Sequence, residues 1–269
     1  MMTSVNKILK VIDQIAPFET ADSWDNVGLL VGKENQVVNR ILVALDLSEE
    51  VIKEAIEEGY DLIITHHPII FSPLKKITTG DRVGKILIEA IQNDIAIIAA
   101  HTNLDKVFSS GINRYLADSL LLGHLQILIP EGVHSDYGHG IVGTLENAMA
   151  FDEFILRVKN VFQIDHLRIS NVTKDKKVRK VVVASGASSD FIGNVLLTQA
   201  DVFITSDLKY HDCQNVIGSN LTLVDVGHFE SESVYLEHFK ALMDGWISEK
   251  NYDVFTKVSE MEQPIFKHL

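Results

Sequence analysis

"ILVALDLSEEVIKEAIEEGYDLIITHH" occupies residues 41–67, and its reading decides the fold. Residues 41–47, ILVALDL, form a short apolar strand pattern. Ser48 stands where its hydroxyl caps a helix, Glu49 and Glu50 suit the positive end of that helix, and Gly59 closes it. Residues 61–67, DLIITHH, return to an apolar strand. Strand, helix and strand joined by short links make a βαβ unit, whose two strands run parallel. The strand then ends in His66 and His67, which a continuing strand would send to opposite faces, and Pro68 stops the ladder.

The alternation then recurs along the chain. GDRVGKILIEAIQND (80–94) carries Val83, Ile86, Leu87, Ala90 and Ile91 at helical spacing, and IAIIAAH (95–101) is another buried strand, ending in His101. GINRYLADSLLL (111–122) is a further helix. In the second half, HGIVGTLE (139–146) reads as a strand and FDEFILRVKNVFQ (151–163) as an amphipathic helix. VRKVVVASGASS (178–189), ADVFITSD (200–207) and LTLVDVGH (221–228) are strands separated by helical stretches at 189–199 and 208–217. The expected fold is therefore α/β: two α/β units with mostly parallel sheets. The first spans residues 1–128, carries the HH and HTNLD motifs, and is completed by the helix and strand of 233–269. The second, smaller unit spans 129–232, with the border in the turn-rich stretch IPEGVHSDYGHG (129–140).

Composition narrows the function. The 269-residue chain is 46% hydrophobic and 23% charged, an ordinary globular profile. No apolar stretch approaches the ~20 residues of a membrane-spanning helix. The N-terminal stretch carries Asp13 and Glu19 and lacks a signal-peptide apolar core, which leads to a cytoplasmic expectation. The formal net charge of −13 argues against non-specific nucleic-acid binding, which rests on Lys and Arg neutralising phosphates. The single cysteine, Cys213, excludes an intrachain disulfide and a thiolate-rich zinc cluster. With no nucleophile–base partner evident in the sequence, it reads as an inert thiol. Any metal must be held by histidines and carboxylates.

Three clusters offer such ligands. They are His66–His67, His101 with Asp105 in HTNLD, and His228 with Glu232 in GHFESE. All three follow the ends of apolar strands, and in open parallel sheets ligands collect at the carboxyl ends of strands. Imidazole and carboxylate suit Zn, Mn, Fe, Co or Ni. Of the remaining histidines, His124, His166, His238 and His268 read as ordinary solvated or hydrogen-bonded side chains. Gly28 and Gly32 read as turn and close-packing residues, because no phosphate-loop spacing surrounds them.

WDNVGLLVG (24–32), THHPIIFSPLKKI (65–77), AAHTNLD (99–105), TSDLKYHD (205–212) and VGHFESE (226–232) resemble, in order, the signatures of the NGG-one-interacting-factor-three family, whose members are commonly described as GTP cyclohydrolase 1 type 2 homologues. The resemblance implies two divalent ions per chain at the strand ends between the two units. Carried onto matching positions, the metal ligands are His66, His67, Asp105, His228 and Glu232. His101 is then either a further ligand or a group that orients one, and His101 and His211 are the candidate catalytic residues, His211 of the KYHD motif as an acid/base group. Adjacent histidines on opposite faces could each serve one ion of a pair ~3.5–4 Å apart. The resemblance further implies a homohexameric ring. Two positions depart from the pattern: Ser206 stands where glycine is expected, and His139 is not a usual motif residue.

The function expected on this basis is a metal-dependent hydrolase acting on a small anionic, nucleotide-like or phosphorylated ligand. The family name implies attack of water on the C8 position of a guanine ring. The competing expectation is a non-catalytic metal-binding regulatory protein. A catalytic site leaves coordination positions open, and a structural one is closed.

Overall fold

The computed structural model describes residues 2–132, 136–173 and 175–267; His268 lies outside them. In chain order the first elements are α1 (Val5–Ile15), β1 (Gly28–Val31), β2 (Arg40–Ala44), α2 (Glu49–Glu58), β3 (Leu62–Thr65), α3 (Arg82–Gln92), β4 (Ala96–Ala99), α4 (Thr102–Lys106) and α5 (Ile112–Ser119). They are followed by β5 (Gly123–Pro130), β6 (Gly138–Ala150), α6 (Phe151–Phe162), β7 (Arg168–Ser170), β8 (Lys177–Val183), α7 (Ile192–Thr198), β9 (Val202–Thr205), α8 (Tyr210–Gln214), β10 (Thr222–Asp225), α9 (His228–Ser233), α10 (Leu236–Glu249) and β11 (Phe255–Val258).

The chain divides into two compact units: Met1–Leu104 with Leu236–Gln263, and Asp105–Tyr235 with Pro264–Leu269. The first holds a five-stranded sheet in the order β1-β4-β3-β2-β11. The pairings from β4 to β11 are parallel, and β1 runs antiparallel to β4. Its central strands β3 and β4 are buried along their whole length, as expected for parallel strands covered on both faces. On one face α2 and α3 seal a core of Leu42, Val51, Ile52, Ile63, Ile86, Leu87 and Ile97. The Ser48 hydroxyl caps α2, accepting from the Val51 N–H at 3.1 Å. Helix α1 buries Val5, Ile8, Val11, Ile12 and Ile15, a stripe at 3–4-residue spacing. Gly32, with φ of +114°, packs so tightly that a Cβ there would lie 2.8 Å from Ala96 Cβ.

The second unit holds a six-stranded sheet in the order β5-β6-β8-β9-β10-β7. The β8–β9 and β9–β10 pairings are parallel, and the outer ones are antiparallel. This sheet is therefore mixed, because β6 stands between β5 and β8 in antiparallel register. The α5 helix and β5, which the sequence reading assigns to the first unit, lie in the second, since β5 forms the edge of its sheet. The final helix, expected from the sequence over SESVYLEHFKALMDGWISEK (231–250), is interrupted: α9 ends at Ser233 and α10 begins at Leu236. Tyr235 in the break is buried, and its hydroxyl donates to Ser110 O at 2.6 Å. No helix among the described residues is long and apolar enough to cross a membrane.

Candidate metal centre

In the first unit, His66 and His67 follow the last residue of β3, yet their backbone N–H groups still donate to Ala44 O (3.1 Å) and Leu45 O (2.9 Å). The main chain is thus held while strand alternation ends. The two rings do not point to opposite faces; their centroids are 5.0 Å apart. His101, two residues past β4, completes the group, with its ring 5.1 Å from that of His66 and 5.5 Å from that of His67. The three imidazoles each offer a nitrogen within 4.8 Å of the others'.

The hydrogen bonds of these rings choose the nitrogen. His66 Nδ1 lies 2.8 Å from Ala100 O, His67 Nδ1 3.1 Å from Asp46 Oδ1, and His101 Nδ1 2.9 Å from Asp25 Oδ1. A carbonyl or carboxylate oxygen only accepts, so each Nδ1 carries the proton. In the neutral ring the lone pair then sits on Nε2. Asp25 also accepts from the Thr102 N–H at 3.0 Å and hydroxyl at 2.6 Å. Burial pushes its carboxyl up, but the bonds from His101 and Thr102 outweigh burial and hold it well below the usual carboxylate range. The exposed Trp24 ring stands 6.1 Å from that of His101, and the exposed Phe71 ring lies 5.9 Å from that of Trp24.

The second unit repeats the device. His228 opens α9 and Glu232 follows one turn later. His228 Nδ1 is 2.7 Å from Asp207 Oδ2, and its Nε2 is 3.3 Å from Glu232 Oε2. Two atoms with lone pairs at that distance call for a proton or a cation between them. Glu232 is only 3% exposed. Gly186, with φ of +61°, lies against it, and a Cβ at 186 would fall 2.5 Å from Glu232 Oε1; the backbone conformation and the contact both require glycine. The Gly186 N–H donates to Ser231 Oγ at 3.0 Å, whose hydroxyl donates to His228 O at 2.8 Å. Asp225, at the end of β10, accepts from the N–H groups of Leu208 and Gly227, each at 3.1 Å, and pairs with Arg168. It ties down the segments that carry Asp207 and His228.

Asp105 lies on α4, half-buried, with its backbone carbonyl accepting from Asn113 Nδ2 at 3.1 Å. Burial, and then the charge of Asp105, push the Tyr235 phenol up. His211 is exposed on α8, its Nδ1 2.8 Å from Gln214 Oε1. On the same helix Cys213 is half-buried and packs against the second unit's core. Ser206 is buried, and its N–H donates to Gly186 O at 3.1 Å. His139 lies on β6 with its ring 5.0 Å from that of Phe191. His124 and His166 are exposed, and His238 is half-buried.

Neutral imidazoles that present Nε2, joined by carboxylates, are the donors that Zn, Mn, Fe, Co and Ni accept. The second atom of each ring is held by a carboxylate or carbonyl, as metal-bound histidines require. The described side chains therefore fit a divalent cation. Sequence reasoning missed the orienting acids Asp25, Asp46 and Asp207. Asp25 and Asp207 do lie inside the WDN and TSD motifs, which was a signal that could have found them.

A family model described as Duf34/NIF3 (NGG1p interacting factor 3) matches residues 3–264. A protein of Clostridium perfringens named GTP cyclohydrolase 1 type 2 homolog is 37% identical over 228 residues, 85% of this chain and 86% of that protein. One of the same name from Streptococcus pneumoniae is 31% identical and spans 98% of this chain and 99% of its own length. Among solved structures, a hypothetical protein of Staphylococcus aureus superposes with a TM-score of 0.93 at 28% identity, covering all of both chains.

Proposed function

The chain belongs to the Duf34/NIF3 family, and from that membership and the site's donor set we propose that it binds two divalent cations and hydrolyses a nucleotide-like or phosphorylated small molecule. The proposed ligands are His66, His67, Asp105, His228 and Glu232, with His101 as a further ligand or an orienting group. His211, exposed on α8, is the proposed acid/base residue. The reading includes assembly into a hexameric ring. The names of the relatives support the hydrolytic part, since they place them beside GTP cyclohydrolases.

One observation carries the metal part. Four imidazoles from separate segments, His66, His67, His101 and His228, all hold Nδ1 against an oxygen acceptor. In each, the proton on Nδ1 leaves the lone pair of the neutral ring on Nε2, the atom a metal would take. The bound ions would supply Lewis acidity and a nucleophilic water at neutral pH. The chain's own residues orient the rings through Asp25, Asp46 and Asp207, and Gly186 leaves room for the buried Glu232 carboxylate. Three neutral imidazoles and two carboxylates leave two divalent ions with a net charge near +2, so the local field favours an anionic ligand in an acidic chain.

Incubation with GTP and with other phosphorylated small molecules tests the reading. Turnover that disappears on metal stripping and returns on reloading is the expected result. Stoichiometric metal with no turnover of any candidate would favour a non-catalytic metal-binding protein instead.

A further inference from the structure

Beyond β2 the main chain has N–H groups that no neighbouring strand takes up. Ser259, just past β11, makes the last strand-like contact, its N–H donating to Val43 O at 2.8 Å. The chain then turns, with the Met261 N–H donating to Ser259 Oγ at 3.2 Å. Glu262 comes back over the end of β2. Its Oε2 accepts from the Leu45 N–H at 2.8 Å and its Oε1 from the Asp46 N–H at 2.7 Å. One carboxylate thereby completes two adjacent backbone donors, a two-point grip that fixes the orientation of both peptide planes.

That grip sits directly behind a histidine. Asp46 Oδ1 is the acceptor 3.1 Å from His67 Nδ1, and Leu45 O accepts the His67 N–H at 2.9 Å. Both the ring and the backbone of His67 are therefore referenced to the two residues that Glu262 holds. Asp46 itself is half-exposed, with 49% of its side chain accessible, so packing alone does not set its direction.

We infer that Glu262 is a positioning residue for His67: it fixes the 45–46 backbone from which Asp46 reaches Nδ1, and so sets where Nε2 points. The inference rests on the metal reading for the consequence, but not for the geometry. A residue 216 positions downstream of Asp46, outside every motif, thus belongs to the site.

Two readouts on the full chain test it. The first uses metal-free protein with 15N-labelled histidine, in which the ring nitrogen shifts report which nitrogen carries the proton. At a pH where His67 is neutral, the wild-type ring should hold its proton on Nδ1. Both Asp46→Asn and Glu262→Gln should move the population toward Nε2–H. Unchanged His67 nitrogens in Glu262→Gln would overturn the inference. The second is Co2+ affinity by competition with a chromophoric chelator. Glu262→Gln should weaken one equivalent by roughly 10–100-fold, the usual effect of losing an outer partner of a ligand. The double variant with Asp46→Asn should be no weaker than Asp46→Asn alone, because the two act in series. Additive losses would mean that Glu262 acts elsewhere and would overturn the inference. If Glu262→Gln folds poorly, Glu262→Asp, one methylene shorter, should show the same loss of Nδ1 occupancy in a milder form; a wild-type tautomer there would also overturn it. Failure of wild-type protein to bind Co2+ would strike the metal reading alone, and the tautomer measurement would still decide the role of Glu262.

Discussion

Asp207 Oδ2 lies 2.7 Å from Nδ1 of His228, on the side of the ring opposite Glu232. The pair spans 21 residues and joins the TSD and GHFESE motifs through one hydrogen bond. Asp207 is exposed, so its removal should leave the fold intact. Asp207→Ala is expected to weaken metal binding by about 10–100-fold with a melting temperature close to that of the wild type. Metal titration and circular dichroism on the same preparation check this; an unchanged affinity would remove Asp207 from the site.

Glu232 and Gly186 should separate ligand loss from strain. Glu232→Ala removes the carboxylate and should lose metal while the protein stays folded. Gly186→Ala forces a side chain into a positive-φ position, at a cost of about 1–2 kcal/mol, and pushes Glu232 aside. It should lose both stability and metal. A Gly186→Ala protein with normal metal content would show that Glu232 does not need its observed position.

Asp25 accepts from His101 and twice from Thr102 inside the first unit. Asp25→Asn should cost about 1.5–3 kcal/mol, the range for hydrogen bonds to a charged group, read by denaturant unfolding. Because the folded carboxyl is held below its ordinary value, its contribution is present above the unfolded pKa and is lost as pH falls through the acid range. The wild-type protein should therefore lose more stability on acidification than Asp25→Asn; parallel curves would contradict the assignment.

Glu262 has the opposite sign. Burial pushes its carboxyl up to about 7, against the downward pull of the Asp46 and Leu45 N–H groups; the charge of Asp46 adds to the rise and His67 opposes it. The folded state keeps a proton that the unfolded chain has already released near 4.5. This contribution is complete below 4.5 and is lost as pH rises toward 7. Melting of metal-free protein across that window should show a falling term that Glu262→Gln lacks. Identical profiles for the two proteins would contradict the raised value.

The βαβ core was legible because propensity, capping and apolar runs agree there: Ser48, the buried run of β3 and Gly59 each act locally. The candidate histidines were legible because they follow strand ends. What escaped depends on partners distant in sequence. His67 meets Asp46, His101 meets Asp25, and Glu262 reaches back to Leu45, none at a spacing that a helix or strand would repeat. The convergence of His66 and His67 escaped for a different reason: strand alternation stops at Thr65, so a period-2 rule no longer governs the next two residues. Strand β5 was not read from the sequence, and the border drawn at 128 runs through it, because its pairing with β6 is a tertiary choice that its own residues do not announce.

The central claim is that these histidines and carboxylates hold two metal ions. Elemental analysis of protein purified without chelator, for the wild type and for the His67→Ala and Glu232→Ala variants, tests it most directly. The account predicts close to two equivalents of divalent metal per chain in the wild type and a clear loss in each variant. Consistently less than half an equivalent in the wild type, or full occupancy in both variants, would contradict it.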